Sequence, residues 1–107
     1  MVEKEIVDIA LKFLHEVEKQ GIQIVEAFLF GSQFKGSAHE WSDIDIAVIC
    51  RPFAADESEQ NMSLWKIAVK VDPRLAPISF SPEDLEKEYM PLIPEIKKGL
   101  ALIRFAA

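Results

Sequence analysis

Cysteine is nearly absent from this chain. Cys50 is the only one in 107 residues, which excludes an intrachain disulfide, a Cys-rich zinc site and a CxxC redox pair, and fits a reducing, cytoplasmic setting. No run of about 18 apolar residues occurs, so nothing reads as a bilayer span. The opening Met1-Val2-Glu3-Lys4-Glu5 alternates in charge and lacks the apolar core of a signal peptide. Basic clusters are missing too. The 12 Lys and Arg are scattered and are outnumbered by 18 Asp and Glu, for a formal charge of -6. Binding to DNA or RNA through phosphates requires the opposite balance, so nonspecific nucleic-acid binding is not expected. A small anionic ligand stays open if bound cations reverse the local field. There is no internal repeat or low-complexity tract.

Half of the residues are apolar and 28% are charged, which suits one globular domain over residues 1–107 with one modest core. Val2, Ile6, Ile9, Ala10, Phe13, Leu14 and Val17 recur at helical spacing and predict an amphipathic helix ending near Gly21. Ile22 to Phe30 reads as a strand that feeds Gly31-Ser32. Gly36, Ala38 and several polar residues before Ser42 suit a short helix or turn. Asp43 to Cys50 resumes a strand, with Ile44, Ile46 and Val48 on one face and Asp43, Asp45 and Ala47 on the other.

Arg51 to Ser58 reads as an exposed connection. Met62, Trp65, Ala68 and Val69 then predict the apolar side of a second helix, stopped at Asp72-Pro73 because the residue before a proline avoids helical angles. Leu75 to Phe80 is a third strand, and Pro77 argues that it lies at an edge or is irregular at that point. Ser81-Pro82-Glu83-Asp84 is a helix start. A last helical stretch from Pro91 to Lys98 ends at Gly99, expected as a left-handed cap. Leu100 to Phe105 closes the series as a strand. The order predicts a mixed α/β domain, one small sheet with helices against it.

Two features are not explained by core formation. A glycine at a strand end, here Gly31, lets backbone approach a ligand closely, amides opening a following helix favour an anion, and the Ser32 hydroxyl can donate to a phosphate oxygen. Asp43 and Asp45, two apart on a strand, stand roughly 7 Å apart, a span that lets two carboxylates converge on one hard cation such as Mg2+ or Mn2+. Each feature alone has a plainer reading: turns for Gly31 and Gly36, a solvated edge-strand face for the acids.

Taken as a unit, Gly31-Ser32-Gln33-Phe34-Lys35-Gly36-Ser37-Ala38-His39-Glu40-Trp41-Ser42-Asp43-Ile44-Asp45 resembles the signature of the DNA polymerase β-like nucleotidyltransferase superfamily. It is most similar to the minimal, MNT-type members. Their pattern is a Gly-Ser pair, a glycine four residues after that Ser, an Ala two further on, then Ser-Asp-x-Asp in a strand. Gly31, Ser32, Gly36, Ala38, Ser42, Asp43 and Asp45 all match it.

The resemblance implies an α/β (α+β) nucleotidyltransferase fold with a small mixed sheet. It implies that Gly31, Ser32, Gly36 and Ser42 hold a nucleoside triphosphate, ATP first, and that Asp43 and Asp45 are catalytic and bind Mg2+. The reaction implied is transfer of a nucleoside monophosphate to an acceptor hydroxyl. A second role it implies is that of a nucleotide-binding or partner-binding module, such as the antitoxin beside a helical HEPN protein. A HEPN-type protein and a second copy of the chain are the partners to consider.

One position departs from the pattern. The third carboxylate of polymerase-like members aligns with Ala76, which has no oxygen to offer. Asp72 is the nearest other acid, but it precedes a proline, and Glu83 and Asp84 serve a helix start. His15 reads as a helix-surface residue, His39 and Lys35 as solvated loop residues, and Trp41 and Trp65 as packing anchors.

Overall fold

The computed structural model describes residues 2–36 and 42–104. The elements are α1 (Lys4–Lys19), β1 (Ile24–Phe30), α2 (Ser32–Lys35), β2 (Ile44–Cys50), α3 (Glu57–Val71), β3 (Leu75–Phe80), a 3₁₀ turn (Pro82–Glu86), α4 (Leu92–Lys97) and β4 (Leu100–Arg104). The strands form one sheet in the order β3-β2-β1-β4, in which β1 runs antiparallel to β2 and β4, and β2 runs parallel to β3. This is the mixed α/β architecture of the nucleotidyltransferase fold.

Each face of the sheet has its own apolar layer. On one side Ile6, Phe13, Leu14 and Val17 of α1 and Leu64 and Ala68 of α3 pack on Ala27, Leu29, Ile44, Ile46, Val48 and Cys50. On the other, Ile93 and Ile96 of α4 pack on Phe28, Phe30, Ala47, Ile49 and Phe80. The alternation of β2 thus feeds both layers. In β1 the register shifts between Ile24 and Glu26. That irregularity returns Ile24 and Ala27 to one layer although they are three apart.

Several expectations change in the structure. α3 begins at Glu57, earlier than the periodicity suggests, because Asp56 caps it by accepting the Glu59 amide at 2.8 Å. Its buried side is Gln60, Leu64 and Ala68, while Met62, Trp65 and Val69 are exposed. Gly99 is not left-handed: positive φ occurs at Gly21, Gly31 and Gly36. A side chain on Gly99 would strike the carbonyl oxygen of Leu29, so glycine is there to let β4 come alongside β1. Phe105, expected to close β4, lies outside the described residues, as do Ala38, His39 and Trp41.

β3 is an edge strand, as Pro77 suggested. Its Ser79 amide and hydroxyl both donate to Asn61 Oδ1 of α3, at 2.8 and 3.0 Å, and the Ser79 hydroxyl accepts from Gln60 Nε2 at 3.3 Å. α3 therefore caps the open edge. Among the described residues no helix is long and apolar enough to cross a membrane.

Candidate functional site

The glycine loop and the acids meet because β1 and β2 are antiparallel. Phe30, the last residue of β1, pairs with Asp45 near the start of β2, so Gly31 emerges beside the Asp45 carboxylate. Gly31 has φ 77° and ψ -152°, a combination almost reserved for glycine. A Cβ there would collide with Asp45 Oδ2. The backbone lies against a carboxylate with no room for a side chain.

α2 is a single turn, which leaves Gly36 at φ 76° as its left-handed cap. So short a helix contributes little macrodipole, and the expected anion-binding helix start reduces to local amides and the half-buried Ser32. Gln33, which sequence reasoning passed over, is buried, and its Nε2 donates to the Ser42 carbonyl at 3.4 Å. It ties the start of the loop to the residue before Asp43. Its burial inside a polar loop left no signal in the periodicity.

Gly31 and Asp45 line a cleft of about 580 Å³ together with Phe30, Asn61, Trp65, Ala76, Pro77, Ile78, Leu92 and Glu95. Ser32, Gly36, Ser42 and Asp43 are not among its walls. Asp43 is exposed and precedes the first residue of β2. Its charge nevertheless reaches Asp45, whose pKa is raised above the ordinary carboxylate value first by burial, then by the charges of Asp43 and Glu95. The cleft is larger and more apolar than the acidic pair implies. Trp65 is 46% exposed and takes part in its wall, so it is not the packing anchor expected.

Ala76 occupies the expected position, paired with Asp45 on the neighbouring strand. Side chains of paired residues share a face, so a methyl group stands where a third carboxylate would. Asp72 is engaged elsewhere: Arg74 donates to it through Nε at 3.1 Å, through Nη2 at 3.0 Å and through its backbone amide at 2.8 Å. These bonds, with the Arg74 side chain foremost, hold its carboxyl below the usual range. Glu95 is the acid that sequence reasoning missed. It projects from α4 into the cleft wall and pairs with Lys35 Nζ at 3.1 Å. His15 is exposed on α1.

The donor set suits a hard divalent cation. It consists of carboxylate oxygens, the half-buried one destabilised by like charges, with the backbone of Gly31 closed over it. Asp43 and Asp45 would hold such an ion.

A half-buried glycine-to-carboxylate contact at the junction of two antiparallel strands, beside an open cleft, is the candidate site of this chain. The chain belongs to the nucleotidyltransferase domain family, whose profile matches residues 10–103, consistent with the MNT-type members. Over 109 residues it is 32% identical to a candidate protein adenylyltransferase of Methanocaldococcus jannaschii, an alignment that covers 96% of this chain and 74% of that protein. Nucleotidyl transfer is the chemistry common to both comparisons.

Proposed function

We propose that this chain transfers AMP from ATP to a hydroxyl group of a protein. The observation that carries the reading is the Gly31 backbone packed on Asp45, with Asp43 and Glu95 close enough to act on that carboxylate. Three acids, of which Glu95 is paired with Lys35, repel a bare triphosphate and welcome one that arrives with a divalent cation. A bound Mg2+ or Mn2+ would neutralise the phosphates and polarise the phosphorus under attack. Asp43 and Asp45 orient that complex, and the loop from Gly31 to Gly36 with Ser32 and Ser42 positions the phosphates. The acceptor oxygen attacks the α-phosphorus and pyrophosphate leaves. A protein as acceptor is supported by the name of the Methanocaldococcus relative.

A second reading, a nucleotide-binding partner of a HEPN-type helical protein, is favoured by one feature. Met62, Trp65 and Val69 of α3 form an apolar stripe that is 58%, 46% and 60% exposed, continuous with the cleft through Trp65. Such a stripe marks a protein contact more often than bare surface. A second copy of the chain could cover it equally, and native mass measurement separates the two.

Thermal melts with Mg2+ and ATP, and α-labelled ATP offered with a cell extract, test the proposal. Mg-ATP should raise the melting temperature of the wild type but not of Asp43→Asn or Asp45→Asn, and label should pass to protein only with the wild type. Without metal, Asp45→Asn should melt higher than the wild type. Its folded pKa is raised, so ionisation at neutral pH opposes the fold, and removing the charge relieves that cost. Wild type that neither binds Mg-ATP nor differs from these variants would sink the reading.

A further inference from the structure

Resting on the metal-nucleotide reading above, we propose that Glu95 of α4 supplies the third carboxylate of the site, in the place that Ala76 leaves without one. The register sets the requirement. Ala76 pairs with Asp45 across β2 and β3, so the side chain there faces the same cleft as Asp45 and brings no oxygen to it. The remaining walls are mostly apolar: Phe30, Trp65, Pro77, Ile78 and Leu92. Asp72 is bound to Arg74 on the turn between α3 and β3. Among the described residues Glu95 is the one other acid in the wall of the cleft, and its charge is among those that act on Asp45.

α4 is fixed in place to do this. Ile93 and Ile96 are fully buried against Phe28, Phe30, Ala47 and Ile49, the face of the sheet that carries Asp45. Glu95 lies between them in sequence and is only partly covered. The carboxylate thus comes from a helix laid over the sheet, where other members take it from the neighbouring strand.

Among the described residues no three His, Cys, Asp or Glu side chains already stand close enough together to hold a metal ion. Glu95 must therefore turn to join Asp43 and Asp45. Its present partner permits that. The Lys35–Glu95 pair is 61% and 40% exposed at its two side chains, and an ion pair so open to water adds little to stability. A divalent cation can take the place of Lys35 beside the Glu95 carboxylate. The ion pair is a latch for the empty state.

The test is Mn2+ binding, followed by electron paramagnetic resonance, in the presence of a non-hydrolysable ATP analogue. Glu95→Gln keeps the shape of the side chain and should weaken Mn2+ binding by about tenfold or more, with an unchanged melting curve in the absence of metal. Lys35→Met, which removes the latch alone, should leave Mn2+ affinity equal to the wild type or higher. Ala76→Glu placed in the Glu95→Gln background should recover most of the lost affinity by returning the carboxylate to β3. If Glu95→Gln binds Mn2+ as the wild type does while Asp45→Asn does not, Glu95 is only the surface partner of Lys35 and the inference is overturned. If wild type and Asp45→Asn both fail to bind, the metal-nucleotide reading falls first and takes this one with it.

Discussion

Gly31 shows how one residue type decides whether the site can exist. Its φ of 77° with ψ of -152° excludes residues with a Cβ on conformational grounds, and the Asp45 carboxylate excludes them again on steric grounds. The backbone strain alone is worth about 1–3 kcal/mol for any other residue. Gly31→Ala should therefore lower thermal stability and weaken Mg-ATP binding together, because relief of the clash has to displace Asp45 or the loop. Gly36→Ala is the control: it shares a positive φ, 76°, but its surroundings are open. It should cost stability and, through the loop that positions the phosphates, lower nucleotide binding by less than Gly31→Ala does. Equal losses of binding at both positions, measured by isothermal titration, would mean that loop conformation matters and the contact with Asp45 does not.

At the scale of elements, the turn that joins α3 to β3 separates structural from functional acids. Asp72 ends α3, accepts three hydrogen bonds from Arg74, and stands next to the position where Ile44 donates its amide to the Arg74 carbonyl at 2.8 Å. Its folded pKa is depressed, so its stabilisation is present above the ordinary carboxylate pKa of 3.8 and disappears as the pH falls below that value. Asp72→Asn should lower stability at pH 7, lose that penalty toward pH 3, and leave Mn2+ affinity unchanged. A loss of metal affinity would return Asp72 to the site.

The elements themselves were largely legible in the sequence, since helical and strand periods are written in side-chain types and Gly31, Gly36 and Pro77 punctuate them. Of the loop-and-acid constellation, the antiparallel pairing of Phe30 with Asp45 brings Gly31 and Asp45 together. What periodicity does not encode is contact across elements. Nothing in the sequence separates Glu95 from other acids of a short helix, or Gln33 from other polar loop residues. On α3 the exposed Met62, Trp65 and Val69 satisfied the same helical spacing as the buried Leu64 and Ala68. Hydrophobicity identifies a stripe, but only the packed sheet says which stripe it covers.

At the scale of the whole molecule, the cleft draws on both layers of the fold: Asn61 and Trp65 come from α3 on one side of the sheet, Leu92 and Glu95 from α4 on the other, and β3 lies between them. A ligand held there ties the layers together and should stabilise the whole structure. Cys50 can report this. It is the single thiol, fully buried in the core cluster beneath α1 and α3, at the opposite end of β2 from Asp45 and about 16 Å from it along the strand. Burial pushes its pKa up from 9.0 to about 11. The folded state therefore holds this proton more tightly than the unfolded chain, and the associated stability, whole below pH 9.0, is lost as the pH rises to about 11. A thiol reagent at pH 7 should label Cys50 slowly, through opening of the fold. If that opening is global, Mg-ATP at about 100 times its dissociation constant should slow labelling about 100-fold, because only the folded state binds. Labelling that ignores Mg-ATP, while melts show that it binds, would mean that Cys50 is reached by local separation of α1 and α3 from the sheet. In that case the helical layer opens independently of the site, and the cleft couples only α4, the loop and the strand edge.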